Sequence, residues 1–289
     1  AMAPIHAGML RQGGMIPTAM GKLVNNIFMM RQSSSMLRAP IATGSRRQLC
    51  SNGTTSSEPY DVVVFGGNGF VGSNVCKILA GMGKKVAAIN RSGAPREKEA
   101  WMDSVDYIAA DVFSPESWRP VLHGAGGVVA SIGAFGTYEQ MKRMNGDANI
   151  VVAEEAAAAA VQRMVFVSAS FPPFPASIPL KGYIEGKQAA EVVVRERFSD
   201  SHTILKPSVI FGKQQGAHPF IAAIRALGPV QEPVMTNTPL GKLSSMPVFG
   251  GVFLPWSPVE AVARAAAEGA LGPLSQSTLL PADIAKFKK

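Results

Sequence analysis

The sequence is short of the residues that build disulfide frameworks and metal centres. It has two cysteines, Cys50 and Cys76, and four scattered histidines among 289 residues. A disulfide scaffold or a zinc site needs more ligands at paired spacings, so we expect no metal ion. No apolar run approaches the roughly 18 residues of a membrane-spanning helix, and we expect a globular protein without a transmembrane span.

Acidic residues are missing altogether from residues 1–57, which contain six basic residues. Removing these six from the 28 Lys and Arg residues leaves 22 basic residues against 20 acidic ones. The net charge of +8 thus falls to +2 outside this leader. A remainder with so little basic excess gives no reason to expect nucleic acid as a partner.

The leader has the composition of an organelle transit peptide, being rich in Arg, Ser and Met. Its segment MGKLVNNIFMMRQ can form an amphipathic cationic helix, which favours a mitochondrial address over a plastid one. RRQLCS resembles a processing site, with cleavage near Leu49 and Cys50. We therefore interpret residues 1–49 as a transit peptide, or as a retained arm that contacts a partner, and 50–59 as a linker.

Short apolar runs alternate with helical patterns along the rest of the chain. The predicted strands are DVVVFG, KVAAIN, VDYIAAD, GGVVASIG, RMVFVSAS and HTILKPSVIFG. Helical patterns follow the first strand, span about 138–160, and recur near 218–227 and 257–270. This alternation predicts an α/β fold, a doubly wound parallel sheet of Rossmann type. We expect a nucleotide-binding core over 60–215 and a smaller substrate-side or lid region over 216–289.

A glycine-rich turn separates the first predicted strand from the first predicted helix. A dinucleotide pyrophosphate needs backbone that approaches without Cβ atoms, at the N-terminus of a helix. Gly66 would make the tight turn, Gly69 would admit the phosphates, and Gly72 would let the helix pack close to the sheet. The predicted contact residues are Gly66, Gly67, Asn68, Gly69, Phe70, Val71 and Gly72.

The end of the second predicted strand bears on the choice between NAD and NADP. An NAD-binding protein places an acidic residue there for the ribose hydroxyl, but this chain has Asn90, Arg91 and Ser92. A guanidinium matches phosphate oxygens, so we predict NADP(H) rather than NAD(H). Asp111 and Val112, after the third strand, are predicted at the adenine edge.

Four side chains form a candidate catalytic set. Tyr183 and Lys187 are four residues apart and so share one helix face, while Ser168 and Ser170 end the fifth predicted strand. A tyrosine can protonate a carbonyl oxygen if a nearby ammonium lowers its pKa and a hydroxyl holds the substrate oxygen. A purely structural tyrosine is the alternative.

Together these motifs resemble the short-chain dehydrogenase/reductase superfamily, in its atypical branch with Gly-Gly-x-Gly-x-x-Gly. The resemblance covers about residues 60–285. It is closer to plant, algal and fungal NAD(P)-binding proteins associated with mitochondrial coenzyme Q biosynthesis or plastid lipid bodies, through VVVFGGNGFVGSNVCK, INRSG, ADVFSPESW and KGYIEGKQAAE. The NADPH-binding accessory subunit of respiratory complex I is a more distant likeness.

The resemblance implies roles for individual residues. Tyr183 would donate the proton, Lys187 would hold the nicotinamide ribose and lower the tyrosine pKa, and Ser168 or Ser170 would polarise the carbonyl. Asn145 lies where related enzymes carry an asparagine. Further cofactor contacts are implied at Ser131, Ile132, Gly133, Lys187 and Pro207.

Two functions follow from the resemblance, and the sequence does not separate them. One is an NADPH-dependent reductase of a quinone or quinone precursor in coenzyme Q metabolism. The other is a non-catalytic subunit of complex I, or of a similar assembly, that holds NADPH structurally. Either would lie on the matrix side of the mitochondrial inner membrane as part of a protein assembly, with a plastid location as the alternative.

Two segments bear on the substrate side. FPPFPASIP, residues 171–179, either shapes or fills a pocket before Tyr183. MPVFGGVFLPW, residues 246–256, is either a buried loop or a lid that contacts membrane lipid or quinone.

Overall fold

A parallel sheet organises the chain, as the alternation of apolar runs predicts. The structure is a computed structural model and describes residues 58–95, 98–171, 177–212, 228–238 and 255–288. The predicted leader, almost all of the linker, the helical pattern at 218–227, the proline segment at 172–176 and most of the apolar segment at 246–256 lie outside the described residues.

Within the described residues, seven strands form the main sheet, and their order identifies the fold. The order is β3-β2-β1-β4-β5-β6-β9, and each neighbouring pair is parallel. The chain therefore runs outward from β1 in one direction, then returns to continue from β4 in the other. This confirms the predicted doubly wound fold and places the topological switch point between β1 and β4. The main-sheet strands are Val62–Phe65 (β1), Val86–Asn90 (β2), Val105–Ala109 (β3), Gly127–Ala130 (β4), Arg163–Val167 (β5), His202–Leu205 (β6) and Thr278–Leu279 (β9).

Helices cover both faces of this sheet. Val62 and Val64 of β1 pack into one apolar cluster, whereas Val63 and Phe65 pack into the other, and all four are fully buried. Unbroken apolar strands are expected when both faces are covered. The helices are Phe70–Gly81 (α1), Tyr138–Lys142 (α2), Ala148–Ala158 (α3), Lys181–Arg197 (α4), Gly228–Asn237 (α5), Val259–Leu271 (α6) and Pro281–Ala285 (α7).

Small residues allow close packing in the helical layers on both faces of the sheet. Helix α6 joins α1 on the face of Val62 and Val64, and its buried positions are mostly alanine. Helices α3 and α4 cover the opposite face, where Gly146 and Gly186 lie back to back. A Cβ on Gly146 would lie 2.9 Å from the Gly186 Cα, so this helix crossing depends on glycine.

Two sequence predictions are refined by the structure. The segment HTILKPSVIFG divides into β6 and a separate strand, Ile210–Phe211 (β7), which pairs with Ser257–Pro258 (β8). Pro207, between them, has no N–H to continue a ladder. The predicted helix over 138–160 is interrupted by a π-helical turn, Arg143–Asp147, between α2 and α3. π-helical turns of this kind are frequent at functional sites.

Among the described residues, no helix combines the length and apolar character needed to cross a bilayer. Within the same ranges, no group of three or more His, Cys, Asp or Glu side chains is arranged to hold a metal ion.

Candidate functional site

The carboxyl ends of β1, β4 and β5 bring the predicted nucleotide and catalytic residues to one edge of the sheet. Parallel strands in register end at the same edge, and the crevice at a switch point is where such folds bind ligands. The glycine turn follows β1, Ser131–Gly133 follow β4, and Ser168 follows β5. The sequence predicted these residues separately, and the topology makes them neighbours.

The glycine turn leaves no room for side chains, because added Cβ atoms would meet the protein's own backbone and Ser131. Gly66 has φ +82°, a left-handed conformation that favours glycine. A Cβ on Gly72 would lie 2.2 Å from the Gly66 carbonyl oxygen and 2.8 Å from Ser131 Oγ. A Cβ on Gly69, which is the N-cap of α1, would lie 3.0 Å from the same carbonyl. The first turn of α1 contains no acidic residue.

These features fit a dinucleotide pyrophosphate. The helix N-terminus offers backbone N–H groups and a partial positive charge, and the first turn of α1 carries no carboxylate that would repel the phosphates. Phe70 and Val71 begin α1, and Gly67 is buried against Ala88 of β2. Ser131 closes the turn from the β4 side, since its Oγ donates to the Phe65 carbonyl at 2.8 Å.

Asn68 holds the loop after β2 against the glycine turn, and Asn90 fixes the conformation of that loop. Asn68 Nδ2 donates to Ser92 Oγ at 3.0 Å, and also to the Ala94 carbonyl. Asn90 Oδ1 accepts from the Ser92 N–H at 3.1 Å and the Gly93 N–H at 2.8 Å. Both side chains are therefore used within the protein, whereas the Arg91 side chain between these contacts is exposed.

Asp111 lies exposed after β3, where its carboxylate accepts from the Phe113 N–H at 3.0 Å. Its backbone carbonyl accepts from the buried Trp118 Nε1 at 3.1 Å. Val112 is buried beside it. These contacts fix the loop that the sequence predicts at the adenine edge. The adenine contact itself stays a prediction.

Lys187 is buried, and its amino group is hydrogen-bonded to the backbone of two other segments. Its side chain is 3% exposed, and Nζ donates to the carbonyls of Ile132 at 3.0 Å and Val167 at 2.8 Å. Burial lowers the pKa of Lys187 to about 7, although the Glu191 carboxylate opposes the shift. The lysine thus joins the segment after β4 to the end of β5, and a proton on it is lost near neutral pH.

Tyr183 lies one helical turn before Lys187 on α4. The Lys187 Nζ is 6.0 Å from the centre of the tyrosine ring. Burial raises the pKa of Tyr183 to about 12. The expected lowering of the tyrosine pKa by Lys187 is therefore not seen in this structure, because desolvation by burial raises that pKa instead. Tyr183 is consequently protonated at neutral pH.

The two serines point to different partners. Ser168 is 3% exposed and its Oγ donates to Glu191 Oε1 at 2.6 Å, while Ser170 Oγ donates to the Lys206 carbonyl at 2.7 Å. Neither hydroxyl is hydrogen-bonded to Tyr183 in this arrangement. Pro207, buried after β6, accepts from the Ser170 N–H at 2.7 Å. The roles of both serines stay predictions.

Glu191 is a functional candidate that the sequence reasoning missed. Its carboxylate is buried and accepts from Ser168, from Lys206 Nζ at 2.9 Å and from Arg195 Nη2 at 3.0 Å. Burial alone would raise the pKa of Glu191, but these hydrogen bonds and charges hold it below its usual value. The signal was available, because Tyr183, Lys187, Glu191 and Arg195 recur every four residues.

Two buried asparagines orient the segment after β4. Asn145, in the π-helical turn, donates from Nδ2 to the carbonyls of Ala134 and Met141 at 2.8 Å. Asn149, which the sequence reasoning did not single out, donates from Nδ2 to the Ile132 carbonyl at 3.2 Å. Ile132 therefore receives hydrogen bonds from both Lys187 and Asn149, which explains how a loop next to the nucleotide site keeps its shape.

Comparison with known proteins agrees with this geometry. Residues 66–225, more than half of the chain, match the model of the NAD(P)H-binding family. The chain belongs to this family. Binding of NAD(P)H, the Rossmann fold and the likeness to short-chain dehydrogenases and reductases are thereby established at the family level.

Three curated relatives share parts of the chain. An uncharacterised chloroplastic protein of Arabidopsis thaliana is 41% identical over 157 residues, which cover 53% of this chain and 52% of that protein. MIOREX complex component 2 of Saccharomyces cerevisiae is 39% identical over 87 residues, covering 28% and 31%. The 2-alkyl-3-oxoalkanoate reductase of Stenotrophomonas maltophilia is 31% identical over 153 residues, covering 50% and 43%. The chain spans about half or less of the length of these relatives.

Solved structures share the fold. MoeE5 in complex with UDP-glucuronic acid and NAD superposes with a TM-score of 0.54 at 21% identity, covering 76% of this chain and 75% of that one. A putative epimerase from Burkholderia cenocepacia gives a TM-score of 0.54 at 16% identity, covering 79% and 80%. Identities this low show a common architecture and no more.

Proposed function

We propose that this NAD(P)H-binding protein is an NADPH-dependent reductase whose substrate is a quinone or quinone precursor. One observation carries the proposal. Helix α4 sets a protonated Tyr183 one turn before Lys187, whose Nζ contacts one carbonyl after β4 and one at the end of β5, at the edge where the glycine turn lies. A proton donor beside a dinucleotide site suits carbonyl reduction.

The residues of the chain would divide the work as follows. NADPH, when bound, supplies a hydride, that is, two electrons and a proton. Tyr183 gives the second proton from its hydroxyl, which balances the reduction of a quinone to a hydroquinone, and then regains a proton from solvent. Lys187 and Asn149 hold the Ile132 carbonyl and so keep the wall of the site in place.

Ser170, rather than Ser168, suits the role of holding the substrate oxygen. Ser168 would have to leave an ionised, buried carboxylate to donate elsewhere, and hydrogen bonds to charged groups are the costlier ones to break. Ser170 would leave only a neutral carbonyl. The relative from Stenotrophomonas maltophilia, named as a reductase of an oxoalkanoate, supports reduction of a carbonyl as the reaction class.

Three finer assignments belong to the same proposal. The exposed Arg91 and the lack of an acidic residue at the end of β2 support NADP(H) over NAD(H). The resemblance to proteins of coenzyme Q biosynthesis supports a quinone and a peripheral inner-membrane assembly as partner. The acid-free leader supports a mitochondrial address, whereas the chloroplastic relative supports a plastid, and import of the leader into isolated organelles would decide between them.

A second function is favoured by a specific observation. Tyr183, Ser168 and Ser170 are not joined by hydrogen bonds, and Ser168 is instead part of a buried charge cluster. Such an arrangement also suits a non-catalytic subunit, of complex I or a similar assembly, in which the nucleotide contributes stability by mass action alone.

The decisive experiment follows the near-ultraviolet absorbance of NADPH bound to the purified protein. We expect addition of a short-chain quinone to remove this absorbance in the wild type, and Tyr183→Phe to retain it while binding NADPH with unchanged affinity. A signal that persists in the wild type, with NADPH still bound, would refute quinone reduction and support the structural subunit.

A further inference from the structure

Three aromatic rings meet at the substrate side of the candidate site. Phe135, in the segment after β4, stacks on Tyr183 with 5.3 Å between ring centroids and 8° between ring planes. Phe171, after β5, meets the same tyrosine edge-on, with 6.3 Å between centroids and 83° between planes. Tyr183, the proposed proton donor, is therefore framed by rings contributed by two different loops.

Phe135 is unusual among these rings because it is 56% exposed. A phenylalanine normally buries most of its surface, and an isolated exposed one needs no explanation. The Phe135 ring, however, is stacked on Tyr183, a titratable side chain at the candidate site. Its chain neighbours, Ala134 and Gly136, carry a single methyl group and no side chain, so they can shield it little.

The stacking geometry leaves ring surface uncovered. Carbon atoms in contact are about 3.5–4.0 Å apart. Nearly parallel rings that are in contact with their centroids 5.3 Å apart are therefore displaced sideways relative to each other. Part of each face then stays free of the other ring, and Phe135 has more than half of its surface exposed to solvent.

We propose that Phe135 is the specificity-determining residue of this site, and that it selects substrates whose carbonyl is conjugated within a flat ring. The inference rests on the reductase function proposed above, and it assigns the choice of substrate to one side chain. A flat ring laid against Phe135 gains stacking in addition to burial of apolar area, whereas a puckered ring of the same size gains burial only. Stacking of this kind contributes about 0.5–1.5 kcal/mol.

The test compares two rings that differ in planarity. Tetramethyl-p-benzoquinone is flat and has no free ring position for cysteine addition, and the corresponding tetramethylcyclohexanedione carries the same groups on a puckered ring. Calorimetry on protein saturated with NADP⁺ measures binding without turnover, because the oxidised nucleotide cannot reduce either ring. The variants are Phe135→Leu, which keeps apolar volume, and Phe135→Tyr, which keeps the ring. Unchanged NADP⁺ affinity verifies that both are folded.

We expect Phe135→Leu to weaken quinone binding roughly 2- to 12-fold, the stacking free energy converted at 1.4 kcal/mol per tenfold. Binding of the saturated ring by Phe135→Leu should change less than about twofold. Phe135→Tyr should bind the quinone about as well as the wild type does. An equal loss for both rings, no loss for either, tighter quinone binding by Phe135→Leu, or failure of the wild type to prefer the flat ring would each overturn the assignment.

The outcome is separable from the reductase function itself. A quinone that binds through Phe135 but leaves bound NADPH unoxidised would uphold the recognition and refute the reductase. A quinone that oxidises bound NADPH equally well in wild type and Phe135→Leu would uphold the reductase and refute the recognition.

Discussion

The nucleotide end and the substrate end of the crevice lie at the same edge of the sheet, but the first is formed mainly by backbone and the second mainly by side chains. Around the glycine turn, backbone does the work, and a single Cβ on Gly72 would lie 2.2 Å from a carbonyl oxygen. Around Tyr183, side chains do the work, through a buried lysine, a buried carboxylate and two serines. The tight backbone of the glycine turn fits few ligands. The side chains around Tyr183, in contrast, are compatible either with catalysis or with a purely structural role.

Among the substitutions considered, Gly72→Val in the glycine turn should have the largest effect. Gly72→Val forces atoms into the Gly66 carbonyl and Ser131 Oγ. We expect the free energy of unfolding to fall by about 1–3 kcal/mol, and NADPH affinity to fall roughly tenfold or more. Urea unfolding and fluorescence titration with NADPH measure the two quantities.

Gly81→Ala is the matched control on the same helix. A Cβ there meets nothing within 4 Å, so NADPH affinity should be unchanged and the helix should be stabilised by up to about 1 kcal/mol. Wild-type NADPH affinity in Gly72→Val would show that the turn does not hold the nucleotide.

The next effect, on the side-chain end, concerns pH. The pKa of Lys187 is about 7 in the folded protein against 10.5 as its ordinary value, so the unfolded chain binds a proton that the folded protein has released. The contribution of Lys187 to stability is thus fully present above pH 10.5, and it is lost as pH falls towards 7.

Between about pH 7.5 and 9.5, the stability of the wild type should therefore gain up to ~1.4 kcal/mol per pH unit relative to Lys187→Met. Urea unfolding of the nucleotide-free proteins at several pH values measures this difference. A difference that is constant with pH would mean that Lys187 stays charged in the folded protein.

The serines divide the substrate end itself. Ser168 donates to an ionised carboxylate and Ser170 to a neutral carbonyl. Ser168→Ala should cost about 1.5–3 kcal/mol of unfolding free energy, and Ser170→Ala only about 0.5–1.5 kcal/mol. Chemical denaturation ranks them, and NADPH oxidation should be impaired mainly by Ser170→Ala. A larger loss of NADPH oxidation in Ser168→Ala than in Ser170→Ala would indicate that Ser168, and not Ser170, holds the substrate oxygen.

The smallest effect concerns the 2′-phosphate of NADPH. Arg91 is exposed, so its contact with that phosphate is screened by solvent. We expect Arg91→Ala to weaken NADPH binding by roughly 3- to 10-fold and to leave NADH binding unchanged. Equal losses for both nucleotides in paired titrations would show that Arg91 does not discriminate between them.

What the sequence could predict follows the same division. Apolar runs such as 62–65 identify buried strands, and the glycine spacing identifies a backbone cradle, because both depend on local patterns. The pairing of β7 with β8 and the packing of the π-helical turn at Arg143–Asp147 against α4 involve contacts between segments far apart in the chain. The direction of the Tyr183 pKa shift depends on how deeply the fold buries that side chain, which no spacing reveals.

The central claim is that a nucleotide binds across the switch point between β1 and β4, and hydrogen–deuterium exchange tests it most directly. With NADPH present, we predict slower amide exchange in peptides spanning 62–75 and 130–136, and unchanged exchange in 281–288. Unaltered exchange in both of the first two peptides, at saturating NADPH and with protection elsewhere, would contradict the account.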